Sequence, residues 1–541
     1  MPAEVIIHTT FGEIATLLAL AAGIDEPPDA PRRYLRHLLG AQYDAARVEA
    51  YLAHAPAAVA FHLQHTALRF IDGNSIPDFH GRAPGAREGG RSVCAAPFDG
   101  RRLGPHLARL RPPLDLLSFL GMGIGGGADL RHFLRASRAA DSFAYAARRI
   151  GRHLADVPRH GRGTLLMGGN ALAGALLASA LERGVRLFEQ HPARALIRDG
   201  QGRVTGARIG APDGDRDLHA RCGVVLAAGG FPHDTARKAA LLPHAPTGRE
   251  HWSAAPLANT GDGLAMAEAV GARIAVGADA GAWAPVSLVP RPDGSATAFP
   301  HLVERGKPGL IAVTADGRRF SSEAGNYHGF MRALFAACDQ RLPGQPVQAW
   351  LVVDHRFQRR FGLGRSLPWP FPLRPWLRSG YLRRGRTPDE LAAACGISAE
   401  GLARTLADYN GPAARGEDPA YSRGALAYER MQGDAEHPGP NPCVAPIVQA
   451  PFYAVRIVPG SLGTFAGLAA NAHAQVLDAR GEPVPGLYAA GNDLASVMGG
   501  HYPSGGITLG PALTFGHVLA HHAAGQPLPM PRPSEPDTST P

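Results

Sequence analysis

Two tyrosines stand in settings where a phenol could take part in chemistry. Tyr502 lies three residues before a glycine pair, and Tyr327 closes the polar segment 317–328, ahead of a predicted helix. A phenol beside a cleft polarises a carbonyl group as a hydrogen-bond donor, and it accepts a proton if its pKa is lowered. The local sequence leaves open, for each tyrosine, the alternative of a packing residue with a satisfied hydroxyl.

Glycine-rich junctions next to apolar strands or helices recur along the chain, at 168–170, 229–230, 491–493 and 505–506. One such junction is weak support for a ligand site, and at 229–230 a turn that needs glycine for its dihedral angles is an equally good explanation. Junctions from separate segments together predict a large ligand, of dinucleotide size, held by backbone N–H groups.

The segment 486–516 combines two of these junctions with the start of a helix at Thr508. The N-terminus of a helix carries partial positive charge, which suits the flavin edge that becomes anionic on reduction. We interpret this segment as the rim of a flavin site.

The elements around these junctions are predicted from the apolar pattern. A helix over 171–183 is followed by a strand at 185–188, and a hairpin turns at 199–202. A buried strand at 224–227 runs into Ala-Gly-Gly, as expected of a sheet that passes beneath a ligand. Residues 387–410 predict two helices, capped by Thr387 and Ser398.

Composition excludes several classes of protein. The 541 residues carry a formal net charge of +9, almost entirely from arginine, without the basic run and interleaved aromatics of nucleic-acid binders. The five cysteines are widely separated, which argues against a disulfide framework or a zinc site, and the histidines form no metal-ligand cluster. The apolar run 14–24 is too short to span a bilayer and lacks a basic segment before it. We expect a cytoplasmic protein without a metal ion.

Several motifs together resemble the FAD-dependent fumarate reductase/succinate dehydrogenase flavoprotein superfamily, and within it the 3-ketosteroid Δ1-dehydrogenase-like branch. The motifs are GGNAL (168–172), VVLAAGGF (224–231), NTGDG (259–263), ERGKPGLIAV (304–313), GRRFSSEAGNYH (317–328), PNP (440–442), PFYA (451–454), GTFAGL (463–468), GLYAAGN (486–492) and GGHYPSGGITLGPALTFG (499–516).

The resemblance implies an α/β fold in which a split Rossmann-like FAD-binding domain flanks an inserted substrate-binding domain of α+β type. The expected boundaries are 1–250 and 451–525 for the FAD-binding parts, 251–450 for the insert and 526–541 for a disordered tail. It also implies non-covalent FAD, a hydrophobic ketone or steroid substrate, and an unidentified electron acceptor.

The resemblance assigns roles to residues of this sequence. Tyr502 and the Gly506 N–H would hold the substrate's carbonyl oxygen, Tyr327 would take a proton from the adjacent carbon, and the flavin would accept a hydride. A further active-site tyrosine of the Δ1 enzymes, from the N-terminal half, has no placed counterpart. The residues expected to bind the cofactor are Gly169, Asn170, Ala193, Ala228, Gly229, Gly491, Asn492, Gly505, Thr508 and Leu509.

The reaction has alternatives within the superfamily. The fumarate reductases use an arginine as proton donor at the position of Tyr327, so the tyrosine favours a neutral ketone over a dicarboxylate, although Arg332 lies nearby. Tyr502-Pro503-Ser504 also resembles the Δ4 steroid dehydrogenases, which leaves the position of the new double bond open. A reductase of an unsaturated acid is the second hypothesis.

The chain departs from the family at its start. The family begins with a strand, G-x-G-x-x-G, a helix and a strand ending in an acidic residue, but Gly12 and Gly23 are the only glycines before residue 40. We therefore expect the sheet to lack its central strand and the FAD pyrophosphate to lose its usual turn. The departure has three explanations: the start is misassigned or frameshifted, the gene is decayed, or the flavin is held differently. A non-catalytic remnant is the third hypothesis of function.

Overall fold

The computed structural model describes residues 6–8, 24, 26, 27, 29–73, 75–113 and 118–528. The apolar run 14–24 lies outside the described residues except for Ile24, and so do most of the first 21 residues and the expected tail from residue 529 onward.

Helices and strands are interspersed along the described part of the chain. The helices are α1 (Ala30–Leu39), α2 (Ala45–His65), α3 (Ala128–Arg135), α4 (Ala140–His160), α5 (Gly168–Glu182), α6 (Thr235–Leu241), α7 (Asp262–Glu268), α8 (Tyr327–Arg341), α9 (His355–Phe361), α10 (Arg374–Arg378), α11 (Pro388–Cys395), α12 (Ala399–Ala413), α13 (Ala427–Gln432) and α14 (Leu509–Ala523). Within the described ranges, none of these helices has both the length and the apolar character needed to cross a bilayer.

The strands are short and belong to several small sheets. They are β1 (Ile6–His8), β2 (Phe70–Asp72), β3 (Ser92–Ala95), β4 (Phe98–Asp99), β5 (Ser118–Phe119), β6 (Met122–Gly123), β7 (Leu165–Leu166), β8 (Ala193–Arg198), β9 (Val204–Ala211), β10 (Gly214–His219), β11 (Val224–Leu226), β12 (Trp252–Ser253), β13 (Ile274–Ala275), β14 (Gly281–Trp283), β15 (Val286–Pro290), β16 (Ala296–Pro300), β17 (Leu310–Val313), β18 (Ala349–Val353), β19 (Leu382–Gly385), β20 (Phe452–Ile457), β21 (Gly460–Thr464), β22 (Gly467–Leu468), β23 (Gln475–Leu477) and β24 (Pro483–Ala489).

A parallel pair of strands places two of the glycine junctions side by side. β11 pairs with β24 in register Val224↔Leu487 and Leu226↔Ala489, and β23 completes a sheet in the order β11-β24-β23. Because the carboxyl ends of parallel strands meet at one edge of a sheet, the turns that follow β11 and β24 lie together.

The middle of the chain is built on an antiparallel sheet. Its strands run in the order β17-β18-β20-β19, and β20 comes from beyond residue 450. The predicted helix pair packs against this sheet as α11 and α12, and the predicted caps are correct. Thr387 accepts a hydrogen bond from Glu390 N, and Ser398 accepts one from Gly401 N.

One large apolar core links the N-terminal helices, the middle sheet and the C-terminal strands. It contains Tyr34 from α1 and Tyr51 from α2, Tyr327 from α8, and Tyr502 from the segment before α14. The functional candidates therefore lie where segments far apart in sequence share one core.

Candidate functional site

Four aromatic side chains from separate segments meet at the centre of the molecule. The rings of Tyr327 and Tyr502 lie edge to face, with centroids 4.9 Å apart. Phe79 stacks on Tyr502 at 5.5 Å, lies edge-on to Tyr327 at 5.4 Å and contacts Tyr428 at 4.4 Å. We call Phe79, Tyr327, Tyr428 and Tyr502 the aromatic cluster.

Hydrogen bonds to neighbouring residues position the two predicted catalytic tyrosines. Tyr327 is the first residue of α8, whose start is capped by Asn326 accepting from Gly329 N at 2.7 Å. Tyr502 is held by the next residue, because Pro503 O accepts hydrogen bonds from Phe79 N at 2.9 Å and from the Tyr34 hydroxyl at 2.7 Å. The N-terminal helices thus position a residue more than 400 positions away.

All three phenols of the cluster are buried, and burial controls their protonation. Tyr502 and Tyr428 are 3% exposed and Tyr327 is 7% exposed. Burial raises the pKa of Tyr327 well above that of a free phenol, and the neighbouring Tyr502 raises it further. Burial also raises the pKa of Tyr502, and it raises that of Tyr428 to about 12. The lowered pKa that would make a phenol a ready proton acceptor is therefore not present in the protein alone.

Gly506 offers a free backbone donor beside Tyr502. Its φ of 85° lies in the left-handed region that favours glycine, and its carbonyl accepts hydrogen bonds from Leu509 N and Gly510 N. Its N–H donates to no acceptor in the described part of the chain. α14 begins three residues later, as predicted, with Thr508 at the N-cap.

One cavity of about 1220 Å³ brings most of the predicted site residues together. Its lining includes Gly169, Asn170, Tyr327, Tyr502, Gly505, Gly506, Thr508 and Leu509. Small-molecule pockets are typically ~300–1,000 Å³, so this cavity has room for two ring systems side by side. Its size and glycine-rich backbone fit the ring system of a flavin together with a second planar or alicyclic molecule.

Gly491 and Asn492 lie next to this cavity but do not line it. Together with Thr508 they line a neighbouring void of about 20 Å³. Gly491 has a φ of 62°, and a Cβ built there would meet no atom within 4 Å, so its backbone is open to a ligand.

Ala228 and Gly229 are joined to that turn by a buried carboxylate. Asp493 accepts hydrogen bonds from Ala228 N at 2.6 Å and Gly230 N at 2.8 Å, and its side chain is fully buried. Burial raises the pKa of Asp493 despite these two donors. Sequence reasoning missed Asp493, although its place directly after Gly491-Asn492 could have signalled a turn-fixing acceptor.

The remaining cofactor candidates lie on an open surface. Ala193 is exposed at the start of edge strand β8 and lines neither cavity. β11 pairs only with β24 among the described strands, and Val225 in its middle is 43% exposed. Ala227 and Ala228 after it are exposed as well. We call Val225, Ala227 and Ala228 the sheet edge.

The strand predicted at 185–188 is wrong, because these residues pair with no other described strand. Val185 is 50% exposed and Phe188 is 52% exposed. A strand needs a neighbour to satisfy its N–H and C=O groups, and no described strand lies beside this one.

Besides Asp493, the structure adds three further residues that sequence reasoning did not single out: Phe79, Tyr428 and Arg305. Arg305 is 1% exposed, donates to the carbonyls of His301 and Glu323, and its positive charge opposes the rise in the pKa of Tyr428. Phe79 has no polar group that a chemical motif could reveal. Tyr428 lies in a turn-rich stretch and outside the family motifs, so neither residue carried a local signal.

Comparisons with known proteins agree with this geometry. The model of the FAD binding domain family matches residues 4–509. The chain is 37% identical to 4-oxocyclohex-2-ene-1-carboxylate 5-dehydrogenase of Sinomonas cyclohexanicum, over 91% of this chain and 82% of that protein. It is 33% identical to 3-oxosteroid 1-dehydrogenase of Mycobacterium tuberculosis (strain H37Rv), over 93% of this chain and 88% of that protein.

A solved structure is similar over nearly the whole chain. It is the crystal structure of 3-ketosteroid delta1-dehydrogenase from Sterolibacterium denitrificans in complex with 1,4-androstadiene-3,17-dione. The similarity has a TM-score of 0.87 at 33% identity and covers 97% of this chain and 92% of that chain. The predicted α/β fold with its inserted α+β part is thereby confirmed.

Proposed function

The chain belongs to the FAD binding domain family and is an FAD-dependent oxidoreductase, and we propose that it desaturates a cyclic ketone next to its carbonyl group. A ketosteroid or a smaller ring ketone is the proposed substrate class. The observation that carries the proposal is the meeting of Tyr327, Tyr502 and the free Gly506 N–H at one cavity. The cofactor is FAD, which supplies the hydride acceptor when bound.

Tyr502 and Gly506 are proposed to bind the ketone oxygen. The raised pKa of Tyr502 keeps its phenol protonated at neutral pH, which is the form that donates a hydrogen bond. Two donors converging on one oxygen stabilise the enolate that forms when the neighbouring carbon loses a proton. Burial strengthens this effect because water does not compete for the oxygen.

Tyr327 is proposed to take that proton. Its raised pKa means that the phenolate is scarce near neutral pH but strongly basic once formed, which suits a weakly acidic C–H group. Arg305 opposes the raising of this pKa and so favours the phenolate, although more weakly than burial disfavours it. Tyr428, which contacts Phe79 within the cluster, adds a third hydroxyl to the cavity lining.

The remaining predicted residues keep their roles as proposals. Gly169, Asn170, Gly505, Thr508 and Leu509 would hold the flavin ring from the cavity wall. Ala193, Ala228, Gly229, Gly491 and Asn492 would meet the rest of the cofactor. The FAD-binding parts 1–250 and 451–525 would flank the substrate-binding part 251–450.

The test uses the full chain reconstituted with FAD. We expect ketone-dependent reduction of an artificial electron acceptor with a 3-ketosteroid or with 4-oxocyclohexanecarboxylate, and an α,β-unsaturated ketone as the product by NMR. Fumarate-dependent oxidation of a reduced dye, without ketone oxidation, would overturn the proposal in favour of a reductase. A chain that takes up no flavin would support a non-catalytic remnant.

A further inference from the structure

Arg305 is a cation in the protein interior without a carboxylate partner of its own. It is 1% exposed and forms no ion pair with any residue that the structure describes. Its N–H groups donate to backbone carbonyls instead, those of His301 at 2.7 Å, Glu323 at 2.8 Å and Gly325 at 3.3 Å. Because a buried charge is costly unless an opposite charge balances it, negative charge is stabilised beside this guanidinium.

α8 provides one side of the surroundings of Arg305. The guanidinium stands over the ring of Phe330, 4.5 Å from its centroid, and Phe330 follows Tyr327 by three residues on α8. Residues three apart lie on the same face of a helix, so Arg305 packs on the face of α8 that begins with Tyr327. Burial raises the pKa of Tyr327, and the charge of Arg305 opposes that rise.

α13 provides the other side. Arg305 belongs to the single 3-10 turn Glu304–Gly306, and a Cβ added at Gly306 would lie 2.5 Å from the Cβ of Gln432. Tyr428 lies one turn before Gln432 on α13. Burial raises the pKa of Tyr428 to about 12, and the charge of Arg305 opposes this rise as well. One cation therefore faces two phenols, one from α8 and one from α13.

A chain of buried side chains lies directly before Arg305. His301 Nδ1 lies 2.6 Å from Glu304 Oε1, and His301 Nε2 lies 2.7 Å from Ser287 Oγ. The Ser287 hydroxyl also lies 2.8 Å from the hydroxyl of Tyr381. Ser287 and His301 are 0% exposed, and Glu304 is 3% exposed. We call Ser287, His301 and Glu304 the buried triad.

The buried triad has the order of a nucleophilic serine with its histidine and carboxylate, but its serine is closed to a bound molecule. Its three members are absent from the described lining of the cavity. Burial opposes the ionisation of Glu304, but the His301 ring lowers the pKa of this carboxyl to about 2. The carboxylate can only accept, so His301 Nδ1 donates to it, and in the neutral ring Nε2 accepts from Ser287. Tyr381 then donates to Ser287, and every polar proton of the triad has an acceptor.

We propose that the buried triad consists of positioning residues that hold Arg305 against Tyr327 and Tyr428, where the guanidinium balances the charge of a phenolate. The hydrogen bond from Arg305 Nε to the His301 carbonyl couples the two residues directly. When Tyr327 loses its proton, the nearby positive charge stabilises the phenolate, which is the form that accepts a proton from a substrate. The positioning stands without the proposed function, whereas the part in proton transfer rests on it.

The other charged groups near Arg305 already have partners. Glu323 is paired with two other arginines, one of which, Arg423, also donates to the carbonyl of Arg305. Glu429 on α13 accepts hydrogen bonds from three backbone N–H groups. Tyr502 also faces Tyr327, and burial raises its pKa too. Among the described residues, Arg305 is therefore the cation whose charge remains for the phenols.

The first measurement needs no turnover. The full chain carries difluorotyrosine at position 327, whose phenol is more acidic than that of tyrosine, and fluorine NMR follows its ionisation. We expect Arg305→Gln to raise the pH of half-ionisation by about one unit, a tenfold change in the ionisation constant, because the nearby positive charge is lost. Arg305→Lys retains the charge and should raise this pH by less.

Variants of the triad test the positioning. His301→Leu leaves Arg305 in the chain but holds it less closely, so it should change the same ionisation constant about threefold. Ser287→Ala is a milder change, should shift the ionisation in the same direction, and serves if His301→Leu does not fold. The matched control is His251→Leu, because His251 is 2% exposed, its Nε2 lies 2.9 Å from Ser461 Oγ, and it does not line the cavity. Thermal melts show which variants are folded.

The second measurement is the pH profile of ketone-dependent turnover. Arg305→Gln should displace the profile of kcat/KM to higher pH, with kcat/KM about tenfold lower at a given pH below the plateau. A residue that only maintains the fold would lower kcat/KM at every pH without displacing the profile. If the wild type oxidises no ketone, the proposed function fails, and the NMR titration still decides the positioning.

Two results would overturn the proposal. The half-ionisation pH at position 327 could be the same in the wild type and in Arg305→Gln, which would show that the charge does not act on the phenol. The His251→Leu control could also shift this pH as much as His301→Leu does. The buried triad would then be one structural network among others.

Discussion

The two sides of the proposed cofactor site, the cavity and the sheet edge, differ in burial. On the cavity side, Tyr502 and Gly505 are buried and Gly506 presents a free N–H. At the sheet edge, Val225 is 43% exposed and Ala228 is open to solvent. If the flavin ring lies in the cavity as proposed, it has a formed wall, whereas little protein among the described residues would surround the nucleotide part.

This difference teaches that catalytic geometry and cofactor affinity reside in different parts of the fold. The aromatic cluster is held by contacts between the first helices, the middle domain and the C-terminal segment, so it does not depend on the sheet edge. Tight binding of the nucleotide part would need backbone N–H groups close to the pyrophosphate. The described residues at the sheet edge offer few such groups.

The largest expected effect is on the cavity side. Tyr502→Phe should lower kcat/KM by ~100-fold or more, because it removes one of the two donors to the ketone oxygen. The control is Tyr409→Phe, since Tyr409 is equally buried, lies outside the cavity lining and its hydroxyl has no partner among the described residues. Equal turnover by the Tyr502 variant and the wild type would remove Tyr502 from the reaction.

The pH dependence of turnover tests Tyr327. Its pKa is raised, so the reactive phenolate is a small fraction at neutral pH and grows with increasing pH. We expect kcat/KM to rise about tenfold per pH unit below that pKa, and Tyr327→Phe to remove the slope along with most of the activity. A profile that is flat from about pH 7 to 9 in the wild type would contradict the role of Tyr327 as proton acceptor.

Asp493 joins the turn after β24 to the turn after β11, and its removal should destabilise the contact between these turns. Asp493→Ala leaves the buried Gly230 N–H and the part-buried Ala228 N–H without their acceptor, which should lower the free energy of unfolding by ~2 kcal/mol. Asp339→Ala is the control, because Asp339 is an exposed aspartate near the end of α8. Chemical denaturation measures the free energy of unfolding of both variants. An equal decrease in the two would show that the hydrogen bonds to Asp493 contribute nothing to stability.

The smallest expected effect concerns the sheet edge. FMN, which lacks the adenylate half, should bind within about threefold of FAD, a difference of ~0.7 kcal/mol. The reason is that the exposed Val225 and Ala228 surface makes few contacts with that half. Fluorescence titration of the full chain with each flavin measures both dissociation constants. If FAD bound more than a hundredfold tighter than FMN, the protein would have to contact the adenylate half, contrary to this prediction.

Much of the local structure was predictable because it depends on near neighbours in sequence. Thr387 and Ser398 cap their helices through bonds to residues three positions on, and the helix after Thr508 follows from its apolar pattern. The strand at 185–188 failed for the opposite reason. Its apolar pattern is strand-like, but pairing depends on a partner that no local pattern reports.

The residues of the candidate site also fall into those that local sequence predicts and those that depend on distant contacts. The glycine junctions and the two proposed catalytic tyrosines were predicted from local patterns and from the family motifs, and the structure gathers eight of the predicted residues around one cavity. Phe79 and Tyr428 were not predicted, because an isolated aromatic residue more often belongs to the hydrophobic core than to a functional site. Asp493 was not predicted, because its carboxylate accepts hydrogen bonds from N–H groups more than 260 positions away in sequence.

By itself, the sequence determined the chemistry available to this protein: phenols, free backbone donors and glycine turns next to apolar strands. Only the tertiary structure decided how these groups act, since the pKa of Tyr327 depends on burial by segments remote in the chain. The tertiary structure also decided which surfaces remain open, as at the sheet edge. Exposure is a property of what packs against a residue, and that is settled by the whole fold.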